Sequence, residues 1–150
     1  KNIELHMVGP IQSNKIKIAI NLFTAIHSVE KIKTLKIINE NITRKSTIKE
    51  LFLQVNISKE SSKSGIYIED MDKFFIEAKK YSKISINGLM TFPPPDEEPS
   101  LYFALLNKLS KKNMLKYLSM GMSNDFETAI ALGATHIRVG EAIMGPRNKN

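Results

Sequence analysis

The 150-residue sequence contains no cysteine and no tryptophan. The missing cysteine excludes disulfides, thiolate metal sites and a cysteine nucleophile, and it is in keeping with a reducing compartment. No apolar run approaches the ~18–20 residues that cross a bilayer as a helix, and the opening residues do not read as a signal peptide. Arginine is scarce as well. Only Arg44, Arg138 and Arg147 stand among the 22 basic residues, so the net charge of +7 is carried by lysine. A nucleic-acid surface clusters its charge and uses the arginine fork, whereas these lysines recur on solvated helix faces, as at Lys79, Lys80 and Lys83 or Lys108, Lys111 and Lys112. No nucleic-acid partner and no membrane partner are expected.

What is present is an alternation. Short runs of β-formers are each followed by a segment with helical spacing. The strand candidates are Glu4–Gly9, Ala25–Val29, Leu51–Ile57, Ile86–Thr91, Tyr117–Gly121 and His136–Gly140. Between them the apolar stripes are Ile16, Ala19, Ile20 and Phe23; Ile32, Leu35, Ile38 and Ile42; Met71, Phe74, Phe75 and Ala78; Leu101, Ala104 and Leu105; and Phe126, Ala129 and Ile130. Ser13 is placed to cap the first helix, Ser123 or Asn124 to cap the last long one with Glu127 closing a capping box, and Gly133 to end it. Pro93-Pro94-Pro95 reads as a stiff loop.

Six β/α units in tandem require a parallel sheet in an α/β fold, because each parallel pair needs a crossover and a helix supplies it. Length alone favours an open, doubly wound sheet over a (β/α)8 barrel of at least ~200 residues. The strand faces favour the barrel. In Leu51–Ser58 one face is Leu51, Leu53, Val55 and Ile57, while the other is Phe52, Gln54, Asn56 and Ser58. In the last strand His136, Arg138 and Gly140 oppose Ile137 and Val139. Polar side chains gather toward the C-terminal ends of the strands, where barrels keep their sites.

The chemistry concentrates in Leu118–Phe126 and Thr135–Gly145, each a strand, a small-residue turn and a helix start. The N–H groups of Gly140, Glu141 and Ala142, with the Ser123 hydroxyl, suit an anion, although tight turns and caps would account for the same residues. Arg138 in the middle of an apolar strand needs a partner: a carboxylate such as Glu4 or Glu141, or a bound ligand. His6, His27 and His136 lie on three strands without carboxylate or thiol neighbours, so they read as interior histidines and no metal is expected. Met120, Met122 and Met144 read as gap fillers beside a pocket.

Taken in order, His6-Met-Val-Gly-Pro-Ile-Gln-Ser-Asn-Lys15, Ile26-His-Ser-Val29, Leu53-Gln-Val-Asn56, Ser62-Lys-Ser-Gly65, Gly88-Leu-Met-Thr91, Leu118–Phe126 and Ile137–Gly145 closely resemble the pyridoxal-phosphate homeostasis protein family, itself similar to the N-terminal barrel domain of alanine racemase. The resemblance implies a TIM-type (β/α)8 barrel that binds pyridoxal 5′-phosphate (PLP) without turnover, as a cytoplasmic monomer that balances the free cofactor. By its motifs Arg138 would approach the pyridine nitrogen. Ser123 and the backbone of Gly140 and Glu141 would hold the phosphate, and Met122 would line the pocket. His6, Ser28 and Asn56 would form walls.

The family's Schiff-base lysine belongs to a first barrel strand that has no counterpart here, and Lys15 and Lys63 match other motif positions. The expectation is therefore a single domain over residues 1–150 carrying the last six of eight β/α units, with roughly 70 N-terminal residues missing and two long unpaired sheet edges. An alanine-racemase-like PLP enzyme and a phosphate-binding doubly wound module are the alternatives.

Overall fold

The computed structural model describes residues 3–60, 63–81 and 83–146. Its main ladder is six parallel strands: β1 (His6–Met7), β2 (Ala25–Val29), β3 (Glu50–Asn56), β5 (Ile86–Met90), β6 (Tyr117–Met122) and β7 (His136–Arg138). Each pairs with the next in chain order. A further two-residue strand, β4 (Ile66–Tyr67), runs parallel to the end of β3. It escapes the sequence because two residues carry no periodicity. The helices α1 (Ile16–Leu22), α2 (Ile32–Asn41), α3 (Met71–Ala78), α4 (Pro99–Lys112), α5 (Phe126–Ala131) and α6 (Glu141–Met144) alternate with the strands, giving the β/α order read from the sequence.

The sheet is curled rather than open. Imidazoles of His6 on β1 and His136 on β7, the two ends of the ladder, lie 5.7 Å apart between centroids. The alternation in β3 supplies the two faces of that curl. Leu51, Leu53 and Val55 join Ile16, Ile20, Leu35, Ile38, Phe103 and Leu106 in the large core between sheet and helices. Phe52 turns the other way, into a smaller interior cluster with Ala25 and Met90. The edges are short, two residues in β1 and three in β7, rather than long.

Several local expectations are corrected. Ser13 opens a 3-10 turn (Ser13–Lys15) ahead of α1 and makes no side-chain cap. Neither Ser123 nor Asn124 caps α5: Asp125 occupies that position and its Oδ1 accepts from the Met122 N–H at 2.6 Å. In α4 the buried stripe is Phe103, Leu106 and Leu109, while Leu101 is largely exposed, because the bulkier phenyl ring takes the inward face. On α5 only Ala129 is buried and Ile130 faces out. Gly133 does end α5, with φ +95°, where a side chain would be strained. Pro99 begins α4 after the proline loop, and Glu98 accepts from the Ser100 N–H at 3.3 Å. No helix among the described residues is long and apolar enough to cross a membrane.

Candidate functional site

At the C-terminal ends of β5, β6 and β7 the loops enclose a cleft of about 710 Å³. One wall is Pro93, Pro94, Pro95 and Pro99, a surface stiff by composition. The rest of the lining comes from the β6–α5 turn (Met122–Asp125) and from Gly140, Glu141, Met144 and Gly145 after β7, together with Arg138. Five sequence-predicted residues, Arg138, Ser123, Gly140, Glu141 and Met122, thus share one cleft.

Arg138 is mostly buried, and the partner it needs is not a carboxylate. Its Nη1 donates to Ser119 Oγ and its Nη2 to the Thr91 carbonyl, both at 2.9 Å. The Phe92 ring lies 4.3 Å from the guanidinium carbon, a cation–π contact. Nε is buried without an acceptor. Burial pushes the guanidinium pKa down to about 10, with Asp125 opposing the shift, so it remains a cation at neutral pH. Neither Glu4 nor Glu141 pairs with it.

Ser123 Oγ accepts from the Ala142 N–H at 3.2 Å, which ties the β6–α5 turn to the start of α6 and leaves the hydroxyl proton free to donate. Among the described residues the N–H groups of Gly140 and Glu141 meet no backbone acceptor. A Cβ at Gly140 would touch nothing within 4 Å, so the space beside that backbone is open. Gly121 is the reverse. With φ +93° and an added Cβ only 2.6 Å from Ala129 Cβ, it lets α5 sit directly on β6 and so fixes the turn that carries Ser123.

The three wall candidates lie elsewhere. Asn56 spends its amide on the loop after β3, donating to the Glu60 and Lys63 carbonyls at 2.8 and 3.0 Å, and lines a separate pocket of about 170 Å³. Ser28 Oγ donates to the Gly9 carbonyl at 2.6 Å. His6 Nδ1 is 3.2 Å from His27 Nε2, and with His136 these rings form an imidazole cluster deeper in the curl. His27 stacks flat on Phe52 at 4.0 Å, its Nδ1 has no partner, and burial drives its pKa down to about 3, with His6, His136 and Arg138 adding to the shift. Among the described residues no three His, Asp or Glu side chains converge as metal ligands. Met120 is fully buried under the helices, so only Met122 and Met144 reach the cleft. Ser62 and Arg147 fall outside the described residues.

Sequence reasoning missed Ser119, Thr91, Phe92 and Asp125. Ser119 was accessible in principle: it alternates with Leu118 and Met120, both on the helix side, and so must face inward.

The family model described as alanine racemase, N-terminal domain, matches residues 2–148. The chain belongs to this family. Among curated relatives, the pyridoxal phosphate homeostasis protein of Escherichia coli (strain K12) is 30% identical over 154 residues, with 97% of this chain and 66% of that protein covered. The protein of the same name from Aquifex aeolicus is 32% identical over 155 residues, covering 97% of this chain and 68% of the relative. The chain thus spans about two thirds of the length of these relatives. Among solved structures, PipY of Synechococcus elongatus with PLP bound superposes with a TM-score of 0.82 at 28% identity, over 97% of this chain and 72% of its own. The curled parallel sheet is accordingly the alanine racemase-type barrel architecture.

Proposed function

We propose that this protein binds pyridoxal 5′-phosphate in the cleft at the C-terminal face and serves PLP homeostasis as a carrier without turnover. The observation that carries this is the convergence, in one cleft of about 710 Å³, of a buried guanidinium, a serine hydroxyl with its proton free, and open backbone N–H groups after β7. That donor set fits a flat heteroaromatic ring bearing a phosphate. Ser123 with the Gly140 and Glu141 N–H groups would hold the phosphate, and Arg138 would meet the pyridine nitrogen. Met122 would cover the ring, and the proline wall would exclude water.

PLP supplies an electrophilic aldehyde and an electron-accepting ring. The residues here would restrain rather than use that chemistry. A guanidinium, cationic at neutral pH, disfavours a proton on the ring nitrogen beside it. No lysine lines the cleft among the described residues, so what they supply is non-covalent. Lys63, in the neighbouring pocket, is paired with Glu60 at 2.8 Å. Asn56, Ser28 and His6 would act at one remove, by holding the loops and strands around the cleft. The names of the relatives and the PLP bound to PipY support the ligand. The absence of cysteine agrees with a cytoplasmic site of action, and the protein is taken as a monomer.

Equilibrium dialysis against PLP and against pyridoxal tests the proposal. PLP is expected to be retained and pyridoxal much less, while Arg138→Met weakens PLP retention about 10–100-fold, as loss of a charge-assisted contact does. Equal retention of both compounds, or an Arg138→Met protein that binds like the wild type, overturns it. A chiral assay with L-alanine and PLP is expected to show no racemisation.

A further inference from the structure

Three things hold the Arg138 guanidinium: the Thr91 carbonyl, the Phe92 ring and Ser119 Oγ. They are not equivalent. The carbonyl anchors one corner through Nη2, and the ring supports one face but leaves rotation over it unrestricted. Ser119 takes the other terminal nitrogen, Nη1, and with two corners fixed the plane of the fork is set. Ser119 is itself completely buried on β6, one strand over from Arg138 on β7. Of the five guanidinium N–H groups, two go to these acceptors and the one on Nε is buried unpaired. One N–H on each terminal nitrogen remains for the cleft that Arg138 lines.

We propose that Ser119 is a positioning residue for the ligand site: by accepting from Nη1 it aims the free N–H groups of Arg138 at the ring of the bound cofactor. This rests on the PLP reading above. Ser119 touches no ligand itself, and its effect passes entirely through Arg138. Removing its oxygen leaves a buried N–H without an acceptor and lets the fork pivot about the Thr91 carbonyl. The fork then meets the ligand from an unfixed direction.

The test is a double-mutant cycle read by PLP dialysis and by the visible circular dichroism that an achiral chromophore acquires in an asymmetric site. Thermal unfolding of the unliganded proteins runs alongside. Ser119→Ala is expected to bind PLP about tenfold more weakly and to lose most of the induced dichroism. Ser119→Thr, which restores the hydroxyl, is expected to recover both. In an Arg138→Met background Ser119→Ala is expected to change nothing further. If the alanine protein does not fold, Ser119→Cys keeps the side chain's shape, exchanges a strong acceptor for a weak one, and carries the same expectation.

The proposal is overturned if Ser119→Ala binds like the wild type, or if it costs the same with and without Arg138, which is the mark of a purely structural role. A different failure marks the PLP reading: wild type that binds no PLP, or Arg138→Met that binds normally. The positioning role then falls with it.

Discussion

Replacing His27 with glutamine removes one titrating group from the interior and should change how stability responds to acid. His27 is almost fully buried on Phe52, faces His6 from β1 and His136 and Arg138 from β7, and has its pKa driven down to about 3. In the unfolded chain it titrates near the ordinary histidine value of about 6.5. Between those values the unfolded state binds a proton that the folded state refuses. Stability therefore falls as pH falls through that window, by about 1.4 kcal/mol per pH unit. From pH 7 to pH 4 this single site contributes a loss of about 3 kcal/mol at most. Glutamine does not titrate, and its amide can still donate toward His6 Nδ1.

Carboxylates and His136 titrate in both proteins, so the difference between the two pH profiles reports His27 together with its coupling to the imidazoles beside it. Urea unfolding at half-unit steps is the assay. The wild-type midpoint should fall by roughly 1–3 M more than the variant's over this range, for urea slopes of about 1–3 kcal/mol per M. Profiles that run parallel would falsify the argument, since His27 would then take up its proton equally in both states.

Two further outcomes follow from geometry near the cleft. Gly121→Ala forces a side chain into φ +93° and against Ala129 and Phe126, so it should cost about 1–3 kcal/mol and lower PLP retention by moving the Ser123 turn; thermal unfolding and dialysis check both parts. Asn56→Ala leaves the Glu60 and Lys63 carbonyls without their side-chain donor, and limited proteolysis is expected to cut the loop after β3 sooner, with a loss of about 1–3 kcal/mol.

The fold was legible where pattern repeats. Leu51, Leu53 and Val55 alternate with Phe52, Gln54 and Asn56, and that alone separates the helix side of the sheet from its interior. The stripe of α4 was misphased because Leu101, Ala104 and Leu105 fit a helical period as well as Phe103, Leu106 and Leu109 do, and only the neighbouring core chooses between them. At the cleft, the five residues near Gly121 and Gly140 stood out because small residues at strand-to-helix turns have a direct chemical use. Ser119 did not, since its meaning depends on a partner 19 residues away. His6, His27 and His136 read as interior residues, but that they meet one another was hidden for the same reason: the curl of the sheet brings them together from positions spread along the whole chain.

The strict sequential order of the ladder bears on how the protein acquires its shape. Each strand lies beside the one made just before it, apart from the short β4, and every crossover is one helix long. Pairing partners are therefore close in sequence, which keeps loop-closure costs modest and lets structure extend from one β/α unit to the next as the chain emerges. The exception is contact between the two ends of the curl, at His6 and His136, which waits until the last unit is in place. Arg138, two residues further on, belongs to that same last unit. Among the described residues the cleft should thus be the last part to form, and on the function proposed above PLP should bind only chains whose sheet has already curled.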